Sequence, residues 1–446
     1  MQADLPSKLA DFVEAMTFRS GYNTSLVVAG TALFGFAAGI VGVFALLRRR
    51  SLVADAISHA ALPGIALAFL VAAWLGFEGR SFGVLLIGAA ATGILGVLAM
   101  HGILRFSRLT EDAAIGIVLS VFFGAGVVGL TYIQANEPSG SAGIDHFIFG
   151  SAATMLRADV ATMAALAAVA VIATVLLLKE FAIVCFNDSF ARVDGWPVSL
   201  LDIAMMALVV LVTVAGLRAV GLIMVVAMLV IPPVAARFWT ERLWKLVVIS
   251  GSIGAGSAYF GAALSGTFSN MPTGPVIVLV AGAVFAISLI CAPNRGAAAS
   301  AIRRIALRLR IGGDHLLEFA HDLLNASDNN SLDRPAIERL SHRRGWSPVF
   351  RALVLRRLQR RGLLVRDAAS ETYRVTDVGR ERGRRVARNH ALWERYLISY
   401  ADVAPSHVDW SVDQVEHVLS DELVDELERE LAAARDAGEV SDIEGG

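Results

Sequence analysis

The stretch Arg48-Arg49-Arg50-Ser51-Leu52-Val53-Ala54-Asp55-Ala56-Ile57-Ser58-His59-Ala60-Ala61-Leu62-Pro63-Gly64 decides how the rest of the sequence is interpreted. Three arginines run directly into an apolar segment that contains one aspartate and one histidine, four residues apart. Residues at that spacing lie on one face of an α-helix. Ionisable groups are costly in a bilayer, so Asp55 and His59 are expected to face protein or water, where they could bind a divalent cation. The alternative is that Asp55 caps the helix start and His59 bonds a neighbouring carbonyl group.

The composition is that of a membrane protein joined to a soluble one. Hydrophobic residues make up 56% of the 446 residues and the mean hydropathy is +0.61, which is too apolar for an ordinary soluble enzyme. The 40 glycines fit close packing of membrane helices. The net charge of −1 conceals a division, because the last third is polar, rich in arginine and free of lysine. Cys185 and Cys291 lie far apart and form no CxxC motif, which excludes a structural zinc ribbon.

Nine apolar segments approach the ~20 residues that cross a bilayer. They are predicted at residues 26–47, 52–75, 82–104, 112–133, 159–179, 200–216, 219–236, 246–264 and 275–292. Positive charge in every second connection places residues 1–25 outside a bacterial cell and the C-terminal part in the cytoplasm. That orientation needs an odd number of spans; if the turn at 216–221 does not cross fully, the count falls to eight. The predicted fold of residues 26–292 is therefore an all-α polytopic membrane domain with eight or nine transmembrane helices.

Three further polar stretches lie in this membrane domain. Glu111-Asp112 is predicted to cap the start of the fourth span. Asp145-His146 lies in the longest outside connection, where it could contact an entering ligand, although a solvated loop is favoured. Residues Asp188 to Gly195 are predicted to form a short helix ended by the glycine, suited to docking a soluble partner; the alternative is a plain loop.

The region after residue 292 is predicted to be soluble and built in three parts. A basic juxtamembrane linker, 293–313, ends at the helix-breaking pair Gly312-Gly313. Helices at 314–325, 332–343 and 347–361 and a hairpin up to residue 375 then give a winged-helix domain, 314–376. Its third helix carries five arginines, which is compatible with nucleic acid, but a membrane-bound domain has restricted access to DNA, so protein docking is favoured. A helical domain, 377–435, and a flexible tail, 436–446, complete the chain.

The membrane part resembles the permease subunits of ATP-binding-cassette importers for manganese, zinc and iron. The matching stretches are Asp55–Gly64, Glu111–Ile117, Asp188–Leu201, Ala219–Pro233 and Pro272–Pro275. They occur in the family's order and span about residues 25–292. Pro232-Pro233 departs from the expected single proline followed by a small residue, so the helix is expected to differ in shape at this point.

That resemblance implies the assembly and the roles of several residues. It implies a pore made by two permeases, either two copies of this chain or a pair, served by a cytoplasmic ATPase and an extracytoplasmic metal-binding protein. Asp55 and His59 then coordinate metal in the transport path, and the segment with Asp188, Ala191 and Gly195 is the coupling helix seated in the ATPase. No Gly-Lys pair occurs in the sequence, so the chain has no phosphate-binding loop and is not expected to be an enzyme.

Residues 314–430 resemble the metal-dependent repressors of the diphtheria-toxin-repressor and manganese-repressor family. Arg388–Arg395 and Glu416–Leu423 carry the match. Asp413, Glu416 and His417 share one face of a predicted helix, at a spacing that suits a divalent metal. The resemblance implies regulatory metal ligands at His390, Asp413, Glu416 and His417 and an accessory position at Glu394. It places the first-helix ligands loosely at His315 and Glu318, because a histidine stands where Asp or Met is expected.

The sequence is therefore interpreted as a permease for Mn²⁺, Fe²⁺ or Zn²⁺ with a fused metal-sensing domain. Oxygen and imidazole ligands without thiolate favour manganese or iron only weakly. Two alternatives stay open: a membrane-tethered, metal-dependent transcription regulator, and a permease for metal chelates such as siderophores.

Overall fold

A computed structural model describes residues 5–19, 21–48, 51–75, 82–136, 155–268, 271–326, 331–367, 372–400 and 429. The chain divides into two compact units, Met1–Ser300 and Ala301–Gly446. The first unit contains helices α1 (Leu5–Met16), α2 (Tyr22–Leu47), α3 (Ser51–Trp74), α4 (Phe82–Phe106), α5 (Glu111–Asn136), α6 (Arg157–Leu176), α7 (Leu178–Phe186), α8 (Asp188–Val193), α9 (Val198–Val220), α10 (Leu222–Arg237), α11 (Leu243–Thr267) and α12 (Thr273–Cys291).

Eight helices in the described part of the chain are long and apolar enough to span a membrane: α2 to α6, α9, α11 and α12. The segment predicted at 219–236 is the shorter helix α10 of 16 residues. At 1.5 Å per residue it rises about 24 Å, less than the ~30 Å hydrocarbon core. By length and composition the described residues therefore contain eight full-length spans, the lower of the two predicted numbers. Helix length alone therefore does not give the odd number of spans that would place residues 1–25 and the C-terminal part on opposite sides of the membrane.

The junction between α9 and α10 lies at a single glycine. Gly221 has φ +79°, a left-handed conformation that a side chain disfavours. The sequence predicted a turn over residues 216–221, whereas α9 continues to Val220 and only Gly221 interrupts the two helices. Pro232 and Pro233 both lie within α10.

Glycines bring the membrane helices into backbone contact, as the composition predicted. A side chain at Gly35 or Gly254 would collide with the backbone of the other helix. The two glycines therefore allow α2 and α11 to pack in direct contact. One turn along, Ser250 Oγ donates a hydrogen bond to the Gly39 carbonyl oxygen at 2.6 Å. Gly64 and Gly88 meet in the same way between α3 and α4. Small residues at helix contacts allow the close approach on which membrane packing depends.

The second unit begins within one long helix, α13 (Ala297–Ala326). The helix break predicted at Gly312-Gly313 is wrong, because α13 runs through both glycines. Their function is close packing. Gly312 faces Phe350 and Val354, and Gly313 faces Leu358, so added side chains would press on those residues.

The winged-helix arrangement predicted from the sequence is confirmed. After α13 come β1 (Ser331–Leu332), α14 (Arg334–Arg343), α15 (Pro348–Arg360), β2 (Leu364–Arg366), β3 (Tyr373–Val375) and α16 (Asp377–Tyr400). The antiparallel sheet has the order β1-β3-β2, with Leu364 opposite Val375 and Ser331 opposite Arg374. Strand β1 is not predicted from the sequence, because it is only two residues long. Leucines dominate the buried core that these elements share.

Candidate metal sites

Asp55 and His59 form a close pair on α3. His59 Nε2 lies 3.5 Å from Asp55 Oδ1, and the two side chains are 22% and 40% exposed. Asp55 is the fifth residue of α3, a full turn after its start at Ser51, so it does not occupy the capping position that the alternative required. Within the described residues, the Nδ1 atom of His59 is buried and has no hydrogen-bond partner, so this nitrogen does not form the carbonyl bond of that alternative.

The surroundings of the pair hold the imidazole in place. The His59 ring packs edge-on against Phe123 of α5, with centroids 5.0 Å apart and an interplanar angle of 85°. Further along, Gly126 of α5 lies against Leu62 and Pro63, because it has no side chain to keep the two helices apart. A carboxylate oxygen and an imidazole nitrogen at this separation can bind one divalent ion, since each ligand stands about 2.1 Å from such an ion. Two protein ligands leave coordination positions for water, as a transported ion needs.

The predicted short helix is α8, Asp188–Val193. The Asn187 side chain accepts a hydrogen bond from the Phe190 backbone N–H at 2.9 Å and so caps it. The Asp188 carboxylate pairs with Arg192 at 3.0 Å. Gly195 has φ +86° and reverses the chain after the helix. Ala191 is fully buried.

Two apolar side chains make α8 unlike an ordinary surface helix. Phe190 is 57% exposed and Val193 is 90% exposed, although both are large and hydrophobic. Exposed apolar groups on a short, well-capped helix are suited to insertion into a partner protein.

A buried ion pair near this segment is not predicted from the sequence. Arg48 at the end of α2 lies with Nη2 2.9 Å from Asp202 Oδ1 of α9, and both side chains are largely buried. Arg48 Nη1 also donates to the Val184 carbonyl oxygen of α7 at 3.1 Å. The sequence predicts Arg48 only as part of a basic flank. The overlooked signal was Asp202, a lone carboxylate in the first turns of an apolar helix.

In the second unit, α13 and α16 bring together three of the predicted regulatory residues. The Glu318 carboxylate lies between two imidazoles, with Oε1 3.3 Å from Nδ1 of His390 and Oε2 3.6 Å from Nδ1 of His315. All three side chains are largely buried. Next to them, Arg382 of α16 forms a two-pronged contact with Asp314 of α13, with N–O distances of 2.8 and 3.1 Å. This contact fixes the two helices beside the cluster.

The charge state of the cluster follows from its neighbours. Burial opposes ionisation of Glu318, but the hydrogen bond with His315 and the positive charges of His390, His315 and Arg344 together lower its pKa. One turn further, burial and the charge of Glu318 raise the pKa of Asp322. In the described part of the molecule no three His, Cys, Asp or Glu side chains form a ready-made metal geometry. In this arrangement the two imidazoles share one carboxylate.

Several predicted site residues lie outside what the structure describes. They are Asp145 and His146 in the long connection, the Glu394 side chain, and Asp413, Glu416 and His417. Their roles remain predictions from the sequence.

Comparison with known proteins defines the class of the chain. The family described as the ABC 3 transport family matches residues 22–292. A second family, described as the iron dependent repressor, metal binding and dimerisation domain, matches residues 376–438. The chain belongs to the ABC 3 transport family and carries a C-terminal domain of the repressor type. It is a multi-pass membrane transport subunit and not an enzyme, so ATP hydrolysis belongs to a separate ATPase.

Named relatives and a solved structure agree with this assignment. The manganese transport system membrane protein MntC of Bacillus subtilis is 39% identical over 383 residues, covering 86% of each chain. That alignment is longer than the membrane domain, so the similarity extends into the soluble part. The zinc transport system membrane protein TroC of Treponema pallidum is 39% identical over 63% of this chain and 93% of its own. PsaBC from Streptococcus pneumoniae in complex with Fab matches with TM-score 0.56 and 30% identity, over 64% of this chain and 97% of that chain.

Proposed function

We propose that this chain is the membrane subunit of an ATP-driven importer of divalent transition metal ions, and that Asp55 and His59 bind the ion in transit. The observation that carries the proposal is their 3.5 Å pairing on α3, within a chain of the ABC 3 transport family. Relatives named for manganese and for zinc support Mn²⁺ and Zn²⁺ as cargo, with Fe²⁺ as a third candidate.

The importer assembles from two permeases, an ATPase on the cytoplasmic side and an extracytoplasmic binding protein. The exposed Phe190 and Val193 on α8 support this helix as the contact with the ATPase. ATP-driven closure of the ATPase moves α8 and opens the path past Asp55 and His59 to the other side. The C-terminal unit lies in the cytoplasm with α8, where its arginines are expected by the positive-inside rule. This placement requires α10 to cross the membrane as a ninth, shorter span.

The test is Mn²⁺ uptake by the complete importer in proteoliposomes. Asp55→Ala and His59→Ala should each lower uptake at least about tenfold, the lower bound for losing even an outer-shell partner of a bound metal. Ser58→Ala is the matched control. Ser58 is a buried polar residue of the same helix, and among the described residues its hydroxyl bonds within its own helix, at the Ala54 carbonyl oxygen. Uptake of bare Mn²⁺ unchanged in both variants would favour a chelate as the cargo.

The second unit is proposed to sense cytosolic metal and to slow transport when metal is abundant. The closeness of Glu318 to His315 and His390 supports this role, with Asp413, Glu416, His417 and Glu394 as further ligands predicted from sequence. Transport by the wild type should fall as Mn²⁺ inside the vesicle rises, and Glu416→Ala/His417→Ala should remove that response. Equal insensitivity of both proteins would disprove the feedback.

One feature favours the tethered regulator as a second candidate. A groove of about 320 Å³ between α14, α15 and β2 is lined by Arg334, Arg351, Arg356 and Arg366, and Glu338 is the one carboxylate among its described lining residues. DNA-binding measurements on the full chain in detergent, with Mn²⁺ present, decide between the two. Sequence-specific binding that Arg356→Ala abolishes would support the regulator.

A further inference from the structure

The buried Arg48–Asp202 pair joins three helices at one point. Asp202 belongs to α9, the Val184 carbonyl oxygen belongs to α7, and Arg48 follows the last residue of α2. A guanidinium group has several fixed donors, so it can hold a carboxylate and a carbonyl at the same time. Because a buried ion pair is weak evidence for stability, its place in the fold is more informative than its energy.

On one side, the pair is connected to α8 through a short, braced segment. Asp202 follows Gly195 by seven residues. Between them, the Trp196 backbone N–H donates to the Ala191 carbonyl oxygen at 2.9 Å, and Trp196 Nε1 donates to Asp194 Oδ2 at 2.9 Å. A displacement of α8 is therefore transmitted through this hydrogen-bonded segment to the first turns of α9.

On the other side, the pair is connected to the base of α3. Arg48 precedes Ser51, the first residue of α3, by three residues, and precedes Asp55 by seven. A second contact reaches the neighbouring helix α4. Ser199 Oγ of α9 lies 3.2 Å from His101 Nε2, and α4 packs on α3 at Gly64 and Gly88.

We propose that Arg48 and Asp202 are positioning residues, which transmit the movement of α8 to the Asp55–His59 pair. The inference rests on the proposed transport function. When α8 moves with the ATPase, α9 and its Asp202 move as well. Asp202 pulls Arg48, so the start of α3 moves in the same direction. In this role the pair positions α3 instead of binding the ion, and it couples ATP hydrolysis to opening of the metal path.

The experiment measures Mn²⁺ moved per ATP hydrolysed by the complete importer in proteoliposomes. Asp202→Asn should lower that ratio about tenfold, within the range that coupling residues produce, while ATP hydrolysis continues. Arg48→Lys keeps the charge but loses the fork that holds two partners, so it should give an intermediate ratio. A merely structural contact would lower the amount of assembled complex without changing the ratio per assembled complex.

The charge exchange Arg48→Asp/Asp202→Arg keeps the proposal testable if Asp202→Asn does not assemble. It restores opposite charges at the same two positions but, like Arg48→Lys, does not keep both contacts, because Asp at position 48 cannot donate to the Val184 carbonyl oxygen. It should therefore return the ratio to within about threefold of the wild type and not fully, since the interaction energy belongs to the pair. A ratio that stays low in an assembled charge-exchange protein overturns the proposal.

Glu241→Gln is the matched control, because Glu241 forms a comparable but exposed ion pair with Arg295 at 2.6 Å, outside the path from α8 to α3. It should leave the ratio unchanged.

Failure of the transport proposal and failure of the positioning proposal are distinguishable. If the wild type moves no Mn²⁺, the transport proposal fails. If the wild type moves Mn²⁺ and assembled Asp202→Asn does so at the same ratio, only the positioning role fails.

Discussion

The Asp55–His59 pair and the Glu318 cluster use the same two kinds of side chain in opposite settings. The pair lies on one helix, four residues apart, and its carboxylate is 40% exposed. The cluster joins two helices, with His315 and His390 on either side of a carboxylate that is 15% exposed. Among the described residues the first arrangement has two potential protein ligands and a partly exposed carboxylate, which suits an ion that must leave again. The second would change the spacing of α13 and α16 when metal binds, which suits a sensor.

The largest effect should come from exchanging the ligand type at the transport pair. Carboxylate ligands suit Mn²⁺, whereas imidazole suits Zn²⁺. His59→Asp should therefore raise the ratio of Mn²⁺ to Zn²⁺ uptake about 30-fold, within the 10–100-fold range of ligand-shell changes. The measurement is competitive uptake of the two ions into proteoliposomes. His342→Asp, at an exposed histidine of α14, should leave the ratio unchanged; an equal shift in both variants would contradict a role for His59 in selection.

The next largest effect tests whether the Glu318 cluster acts independently of the Asp55–His59 pair. Glu318→Gln removes the charge that both imidazoles share, so the concentration of internal Mn²⁺ that halves transport should rise about tenfold. The initial uptake rate without internal metal should stay within about twofold, since the change lies outside the transport path. Glu338→Gln is the control, because Glu338 is a carboxylate of α14 paired with Arg334 and Arg351. Loss of initial uptake in Glu318→Gln alone would show that the cluster is not a separate sensor.

A smaller effect tests how the cluster is held together. Arg382→Met removes the contact with buried Asp314 and should make the opening of α13 and α16 easier by about 2 kcal/mol, the scale for hydrogen bonds to a charged group. Hydrogen–deuterium exchange of the two helices in the full chain measures it. Arg384→Met is the matched control, because Arg384 is 68% exposed and pairs only with Glu381 at 2.9 Å among the described residues. Equal exchange in the two variants would mean that Asp314 does not hold the helices.

The contrast between the sites also explains what the sequence could predict. Asp55 and His59 are neighbours through helix periodicity alone, so their pairing needed no knowledge of tertiary structure. The spans, the hairpin and the winged helix are likewise predicted from local features of the sequence, namely hydropathy and turn residues. Arg48 and Asp202 lie in distant parts of the chain, and no local pattern connects them. Their contact depends on how α2, α7 and α9 pack.

The structural role of a glycine is the feature that the sequence predicts least well. Gly312-Gly313 predicted a helix end because glycine weakens a helix. In the folded unit, Phe350, Val354 and Leu358 pack on these two positions, and that burial outweighs the low propensity. The same residue type did end a helix at Gly195, where φ is +86°. The sequence alone shows no difference between the two cases, since only the packing partner distinguishes them.

The smallest expected effect is the pH dependence of the cluster. The pKa of Glu318 is lowered in the folded chain, so its ionised form stabilises the fold fully above its ordinary value of 4.5, and this contribution is lost as pH falls through the folded pKa. Asp322 acts in the opposite sense, because its raised pKa makes ionisation unfavourable in the folded state. At pH 7, Glu318→Gln should therefore weaken protection of α13 from hydrogen exchange by about 0.5–1.5 kcal/mol, the net contribution of one hydrogen bond. The difference from the wild type should shrink as pH falls below 4.5. Asp322→Asn should strengthen protection at pH 7, and a loss of protection there would show that Asp322 is ionised and stabilising in the fold.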